Sequence, residues 1–234
     1  MIRERFNFRE TITTILAESA DDVDAAKTAM LAARSELEEY IRSDPYFQIT
    51  YEPLDVSKSA PLIVQRMSAA GKEANVGPMA AVAASIAWEG VEAMKKNGAE
   101  FGLIDNGGDI ALVSNRDVSV GIYAGNAESS GKFAFVIPPQ KEILGICTSS
   151  ATVGPSVSFG KADAVVCFSR NPSVADAWAT SLCNRITEET FVETAPKNSS
   201  LFGIYAVIGK WIGTWGKLPR IVPANVDTNL ITKE

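Results

Sequence analysis

The sequence predicts an α+β fold, with a few long helices lying against an extended mixed or antiparallel sheet. Three observations predict it. Two long stretches, 21–43 and 79–97, carry apolar residues at helical spacing between recognisable stops. From residue 101 onward, short apolar runs are separated by Gly, Asn and Ser, the punctuation of hairpins. The chain has 234 residues, 46% of them hydrophobic, which suffices for one large domain or two small ones packed together. We expect a single domain over 1–234, with a soft internal boundary near 55–75 where the polar passage DVSKSA lies.

Taken in order, residues 3–17 alternate in a strand-like way, with Phe6 and Phe8 on one side. A turn near Arg9 and Glu10 then leads to a second strand at Ile12. DDVDAAKTAMLAARSELEEYIRS has an acidic first turn, an apolar stripe (Val23, Met30, Leu37, Ile41) and a stop at Asp44-Pro45, so it reads as an amphipathic helix. PYFQITYEPL reads as an aromatic strand. Pro78 and Gly98 bracket a second long helix, whose small residues Ala80, Ala81, Ala83, Ala84 and Ala87 imply close packing.

FGLID, IALVS, VSVGIYA, FAFVIP and EILGICT then read as strands. A hydroxyl-rich loop, TSSATVGPSVSFG, precedes the strand ADAVVCF and the helix SVADAWATSLCNRI, with Ser173 expected as its N-cap. GIYAVIGKWIGTWGKLPRIV reads as a terminal hairpin turning at Gly209-Lys210.

Composition excludes several functions. The net charge of −6 and the pI near 4.9 leave no basic patch for a nucleic-acid backbone. The first residues lack the pattern of a signal peptide, and the apolar run from Met79 to Val91 falls short of the roughly 20 residues that cross a bilayer, so a cytoplasmic protein without a membrane partner is expected. The chain has no histidine, which excludes Ser-His-Asp hydrolysis and His-based zinc chemistry. Cys147, Cys167 and Cys183 match no zinc-ribbon spacing, and buried reduced thiols are their default.

Two segments carry candidate chemistry. In DNGGDIAL (105–112), Gly107 and Gly108 suit either a tight hairpin turn or the approach of a ligand to bare backbone amides, with Asn106 and Asp109 orienting it. In the helix after Ser173, Asp176 and Thr180 stand four positions apart and so share a face, where a carboxylate and a hydroxyl can hold a hard cation such as Mg²⁺. The helix N-terminus also accounts for Asp176 without any cation.

The ordered set NVGPMAAVAA, DNGGDIAL, CTSSATVG and ADAWATSL resembles the ApbE family of FAD:protein FMN transferases. The resemblance covers about residues 75–186. It implies a T-fold-related α+β architecture and makes Asp176 and Thr180 magnesium ligands. It also places Asn106, Gly107, Gly108, Asp109, Thr148 and Ser149 around a flavin nucleotide, FAD or FMN. Members of the family carry an H-I-x-D-P loop between the T-S segment and the D-A-x-A-T helix; this chain lacks it, so binding of a magnesium-associated nucleotide or another phosphorylated ligand is implied more strongly than FMN transfer. The pattern is closer to a short branch linked to sulfur assimilation, which makes a persulfide on Cys183 or Cys147 the alternative expectation, with Cys167 in its apolar strand the kind of cysteine that is usually an inert core residue. A non-catalytic homo-oligomer pairing through the hairpin of Trp211 and Trp215 is a further one.

Overall fold

In the computed structural model, residues 1–9, 11–152, 160–188, 190–191, 196, 199–227 and 230–232 are described. Strands β1 (Ile2–Phe8) and β2 (Thr11–Ala17) form the N-terminal hairpin. Glu10 of the expected turn lies outside the described residues, as do residues 153–159 of the hydroxyl-rich loop. Helix α1 (Ala20–Ser43) starts where Ser19 accepts a hydrogen bond from the Asp22 amide at 3.1 Å. Its buried stripe, Val23, Ala26, Met30, Ala33 and Leu37, recurs every three or four residues and faces the core.

The aromatic stretch after α1 is not a strand. Pro45 opens a single helical turn, α2 (Tyr46–Ile49), which buries Phe47 edge-on against Tyr40 at 5.2 Å between ring centroids. Tyr46, Ile49 and Tyr51 are exposed, so only one aromatic contributes to the core and a half-buried strand has no alternation to stand on. Helix α3 (Leu62–Ala74) then follows, which the sequence reading left out. Ile63, Val64, Met67, Ala70, Gly71 and Ala74 are buried at helical spacing, and Asn75 ends the helix in the left-handed conformation at φ 56°. Pro78 begins a short 3₁₀ turn, Pro78–Ala81, and helix α4 (Val82–Lys96) continues from it.

Beyond α4 come β3 (Gly102–Asn106), β4 (Asp109–Ser114), β5 (Val118–Gly121), β6 (Phe133–Ile137), β7 (Gln140–Ser149), β8 (Ala164–Ser169), helix α5 (Pro172–Arg185), β9 (Leu201–Ile208), β10 (Trp211–Gly216) and β11 (Arg220–Pro223). Eight strands make one sheet in the order β1-β2-β3-β4-β7-β8-β9-β10, and every pairing is antiparallel. The terminal hairpin turns at Gly209-Lys210 as expected, but its last residues leave it to pair β11 with β6 in a separate sheet of order β11-β6-β5. One face of the large sheet packs on the helices. The other carries Leu112, Ile146, Phe168 and Tyr205, and Phe135 of the small sheet meets Phe168 and Tyr205 edge-on at 5.0 and 5.4 Å. The protein therefore has three layers: helices, large sheet, small sheet.

At the edge strand β10, Trp211 and Trp215 pack against the chain's own core, and the Trp211 ring meets Phe191 at 5.3 Å. Among the described residues, no helix is long and apolar enough to cross a membrane.

Close approach of backbone fixes how the 3₁₀ turn meets the residues before α3. A Cβ added to Gly77 would lie 2.0 Å from the Thr50 carbonyl oxygen and 3.0 Å from the Tyr51 Cα, and neither backbone atom can swing away. Gly77→Ala is therefore expected to cost more than about 3 kcal/mol, read as a lowered urea midpoint. An unchanged midpoint would disprove this contact.

Candidate active site

The register of the large sheet decides which carboxylates share a face. Asn106 stands opposite Asp109, Asp109 opposite Cys147, and Cys147 opposite Cys167, so these four side chains form one row across β3, β4, β7 and β8. The row lies on the helical side, where Cys147 and Cys167 belong to the core beneath α4 and α5. Asp105, one residue from Asn106, points to the other face, where its Oδ2 accepts from the Thr232 hydroxyl at 2.6 Å.

The glycines between Asn106 and Asp109 close a two-residue hairpin. Both take positive φ, 68° at Gly107 and 103° at Gly108, as a type I′ turn requires. The Gly108 amide donates to Asp105 Oδ1 at 2.9 Å, which holds the turn against the preceding strand. The hairpin alternative is thus realised. It leaves room for the other, because a Cβ at Gly107 would meet nothing within 4 Å.

Above the row, two helix ends converge. α4 begins at Ala81 without a side-chain cap of its own. Its cap is supplied from α5, where Asp176 Oδ2 accepts from the Ala84 amide at 3.0 Å and the Ala83 amide lies beside the same carboxylate. Asn106 ties the sheet to that same end by donating to the Ala83 carbonyl at 2.9 Å. Ser173 is not the N-cap of α5. Asn171 takes that role by accepting from the Val174 amide at 3.1 Å, Pro172 fills the first turn, and Ser173 instead meets Ser85 of α4 at 2.7 Å.

The electrostatics of this junction are unusual. Asp176 is 7% exposed, and burial pushes its carboxyl up to about 7 against the two α4 amides that favour its charged form. Asp109 is held well above the usual carboxylate range, first by burial and then by the negative charges of Asp176 and Asp105; the Thr148 amide and the Cys147 thiol only partly offset this. Asp109 as a residue keeps some exposed surface, yet its Oδ1 is buried and finds no hydrogen-bond partner among the described residues. Two acids on one face, one with an orphaned oxygen, define the centre of the site.

The structure brings Asn106, Gly107, Gly108 and Asp109 together with Asp176, but Thr148, next to Cys147 and paired with Val166, turns its side chain to the other face of the sheet with Asp105. The Cβ of Thr148 would be 3.9 Å from one built on Gly108. Ser149 ends β7 beside them, and Thr180 lies one turn along α5 from Asp176. The α4 amides and the Asp105–Thr232 bond were missed, because neither a backbone donor nor a contact between residues so far apart in the chain leaves a pattern in the sequence. All three thiols are fully buried, and burial raises Cys147 and Cys167, so nothing here favours a reactive persulfide. No group of three or more His, Cys, Asp or Glu among the described residues could hold a metal by itself.

The sequence model of the family described as AbpE bacteria matches residues 3–201. The chain belongs to this family. Its relatives include a UPF0280 protein of Methanocorpusculum labreanum, 64% identical over 235 residues and covering 100% of both chains. Another, from Methanoculleus marisnigri, is 59% identical and covers 99% of this chain and 96% of its own. Among solved structures, the flavin transferase ApbE from Vibrio cholerae superposes with a TM-score of 0.59 at 11% identity, over 95% of this chain and 96% of that one. The ApbE protein of Thermotoga maritima does so at 0.58 and 10% identity, over 100% and 99%. At such identities the likeness establishes the shared fold of this AbpE chain.

One substitution separates the turn from the ligand. Gly107→Asn keeps a left-handed conformation that Asn tolerates better than other side chains, and its Cβ meets nothing within 4 Å, so stability is expected to fall by no more than about 1 kcal/mol. Calorimetric titration of FAD with Mg²⁺ should nevertheless weaken at least about tenfold, a loss of 1.4 kcal/mol, if the bare turn admits the ligand. Unchanged binding would mean that the glycines serve the hairpin alone.

Proposed function

We propose that this AbpE protein binds a magnesium-associated nucleotide, of the FAD or FMN class, at the junction of the β3–β4 turn, the start of α4 and Asp176. The carrying observation is the pair of buried acids Asp109 and Asp176, with Asp109 Oδ1 lacking a partner. Two carboxylates that oppose each other's ionisation are neutralised together by one divalent cation. The donor set of two carboxylates and the Thr180 hydroxyl contains only oxygen, which suits Mg²⁺ better than softer metals. So few protein ligands are ordinary for Mg²⁺, whose shell is completed by waters and by the phosphates of a bound nucleotide. When bound, the cation would offset phosphate charge and polarise a phosphoryl oxygen.

The chain's own groups have definite tasks in this reading. Asp176 is anchored by the α4 amides, so its position is set before any ligand arrives. Gly107 and Gly108 offer bare backbone, and Ser149, on the same face of β7 as Cys147, presents a hydroxyl from the end of the strand. The structural likeness to flavin transferases supports flavin over other nucleotides. The reading ends at binding, because the chain lacks the H-I-x-D-P loop that the ApbE family carries between the T-S segment and the D-A-x-A-T helix.

The test is isothermal titration of FAD into the protein with and without Mg²⁺, followed by chromatography for FMN and AMP. Magnesium-dependent binding that Asp176→Asn removes is the expected result, and release of FMN and AMP would add a transferase-type reaction. Absence of binding by FAD, FMN and ATP alike would sink the proposal.

A further inference from the structure

A second cavity lies at the far end of the same sheet. Strand β7 connects the two places: Cys147 faces Asp109, while Gln140, seven residues earlier, lines the cavity. At about 3.4 Å per residue the two ends are roughly 24 Å apart, so the cavity is not part of the nucleotide site.

The cavity holds about 540 Å³ between the small sheet and the ends of β7, β8 and β9, within the range that encloses small ligands. Its floor is apolar: Val136, Leu144, Phe202 and Leu218 line it. Its rim is cationic. Arg170, Lys217 and Arg220 stand around the opening against the single acid Asp117, in a chain whose net charge is −6. Arg170 is braced by Gln140, whose side-chain oxygen accepts from Nη1 at 2.6 Å while its amide donates to the Pro138 carbonyl at 2.7 Å. Lys217 and Arg220 form no ion pair with any described residue. Unpaired cations over an apolar floor complement a ligand that is flat and apolar at one end and anionic at the other.

We propose that this cavity is a second binding site, for a small aromatic or aliphatic carboxylate or phosphate monoester. The apolar body would rest against Phe202, Leu144 and Leu218, and the anion would meet the donors of Lys217 and Arg220 at the rim.

The probes are 2-naphthoate, the neutral 2-naphthalenemethanol and inorganic phosphate, each titrated calorimetrically into the full chain with EDTA present. One naphthoate per chain is expected to bind, with the alcohol and the phosphate each weaker by about tenfold or more, since each carries only half of the recognised chemistry. The double variant Lys217→Gln/Arg220→Gln changes only exposed side chains and should lose naphthoate affinity by a similar factor. Asp176→Asn should leave it unchanged, which separates this site from the nucleotide site. Three results would overturn the proposal: no saturable binding of naphthoate, equal binding of the neutral alcohol, or indifference to the double variant.

Discussion

Asp109→Asn is expected to make the ligand-free protein more stable at pH 8, by roughly 2 kcal/mol, while removing its response to magnesium. The native carboxyl is held well above its ordinary range, so its folded pKa exceeds the unfolded value near 3.9. A group shifted in that direction contributes stability fully below the unfolded pKa and loses it as pH rises through the folded one. At pH 8 the folded chain must either keep a proton on the pair or tolerate two neighbouring buried charges. An asparagine has the same shape and no charge, so it relieves that cost. For a chain of this size 2 kcal/mol corresponds to about 4–8 °C in Tm, measured with EDTA present. At pH 4, where both carboxyls are protonated, the gap between variant and parent should close. A variant no more stable than the parent at pH 8 would show that Asp109 is not strained by its surroundings.

Such a gain at the expense of binding is what a site built for a cation should show, because the unfavourable charge pair is tolerated for the ligand it receives. The same logic explains what the sequence revealed. Local patterns were readable: the α1 stripe of Val23, Met30 and Leu37, the Gly107-Gly108 turn and the Gly209-Lys210 hairpin each follow from a few neighbouring residues. Helix α3 was just as readable from Ile63, Val64, Met67 and Ala70, and was overlooked because a polar passage precedes it. The strand expected at 45–54 failed for a different reason. Its aromatic residues satisfy strand propensity, but burial of Phe47 alone against Tyr40 decides the conformation, and that contact is tertiary.

The candidate site divides along the same line. Residue identities came from motifs, but facing came only from register: the antiparallel pairing of Asp109 with Cys147 puts Asp109 on the helical face and sends Asp105 to the other. Ser173 shows how a good local rule loses. It is a favourable cap by type, yet Asn171 stands before Pro172 and captures the Val174 amide first, which frees Ser173 to join α5 to α4 through Ser85. No sequence pattern announces that the cap missing from α4 is provided by Asp176 of a helix 92 residues away.

Magnesium binding should consequently depend steeply on pH across neutrality. A cation needs both carboxylates ionised, and burial sets Asp176 at about 7 with Asp109 raised as well. Below the lower of the two folded pKa values each binding event must release two protons; between them it must release one. Affinity is therefore expected to rise with pH across neutrality, by about tenfold per pH unit where one proton is displaced and more steeply where two are. Titration in two buffers of different ionisation enthalpy measures the protons directly. In Asp109→Asn the charge of Asp176 has lost its opponent, so any residual binding should release fewer protons and flatten the profile. Binding that is independent of pH between 6 and 8, with no proton release, would mean that the cation is held elsewhere, and the pair of acids would then be a structural clamp between α4, α5 and the sheet.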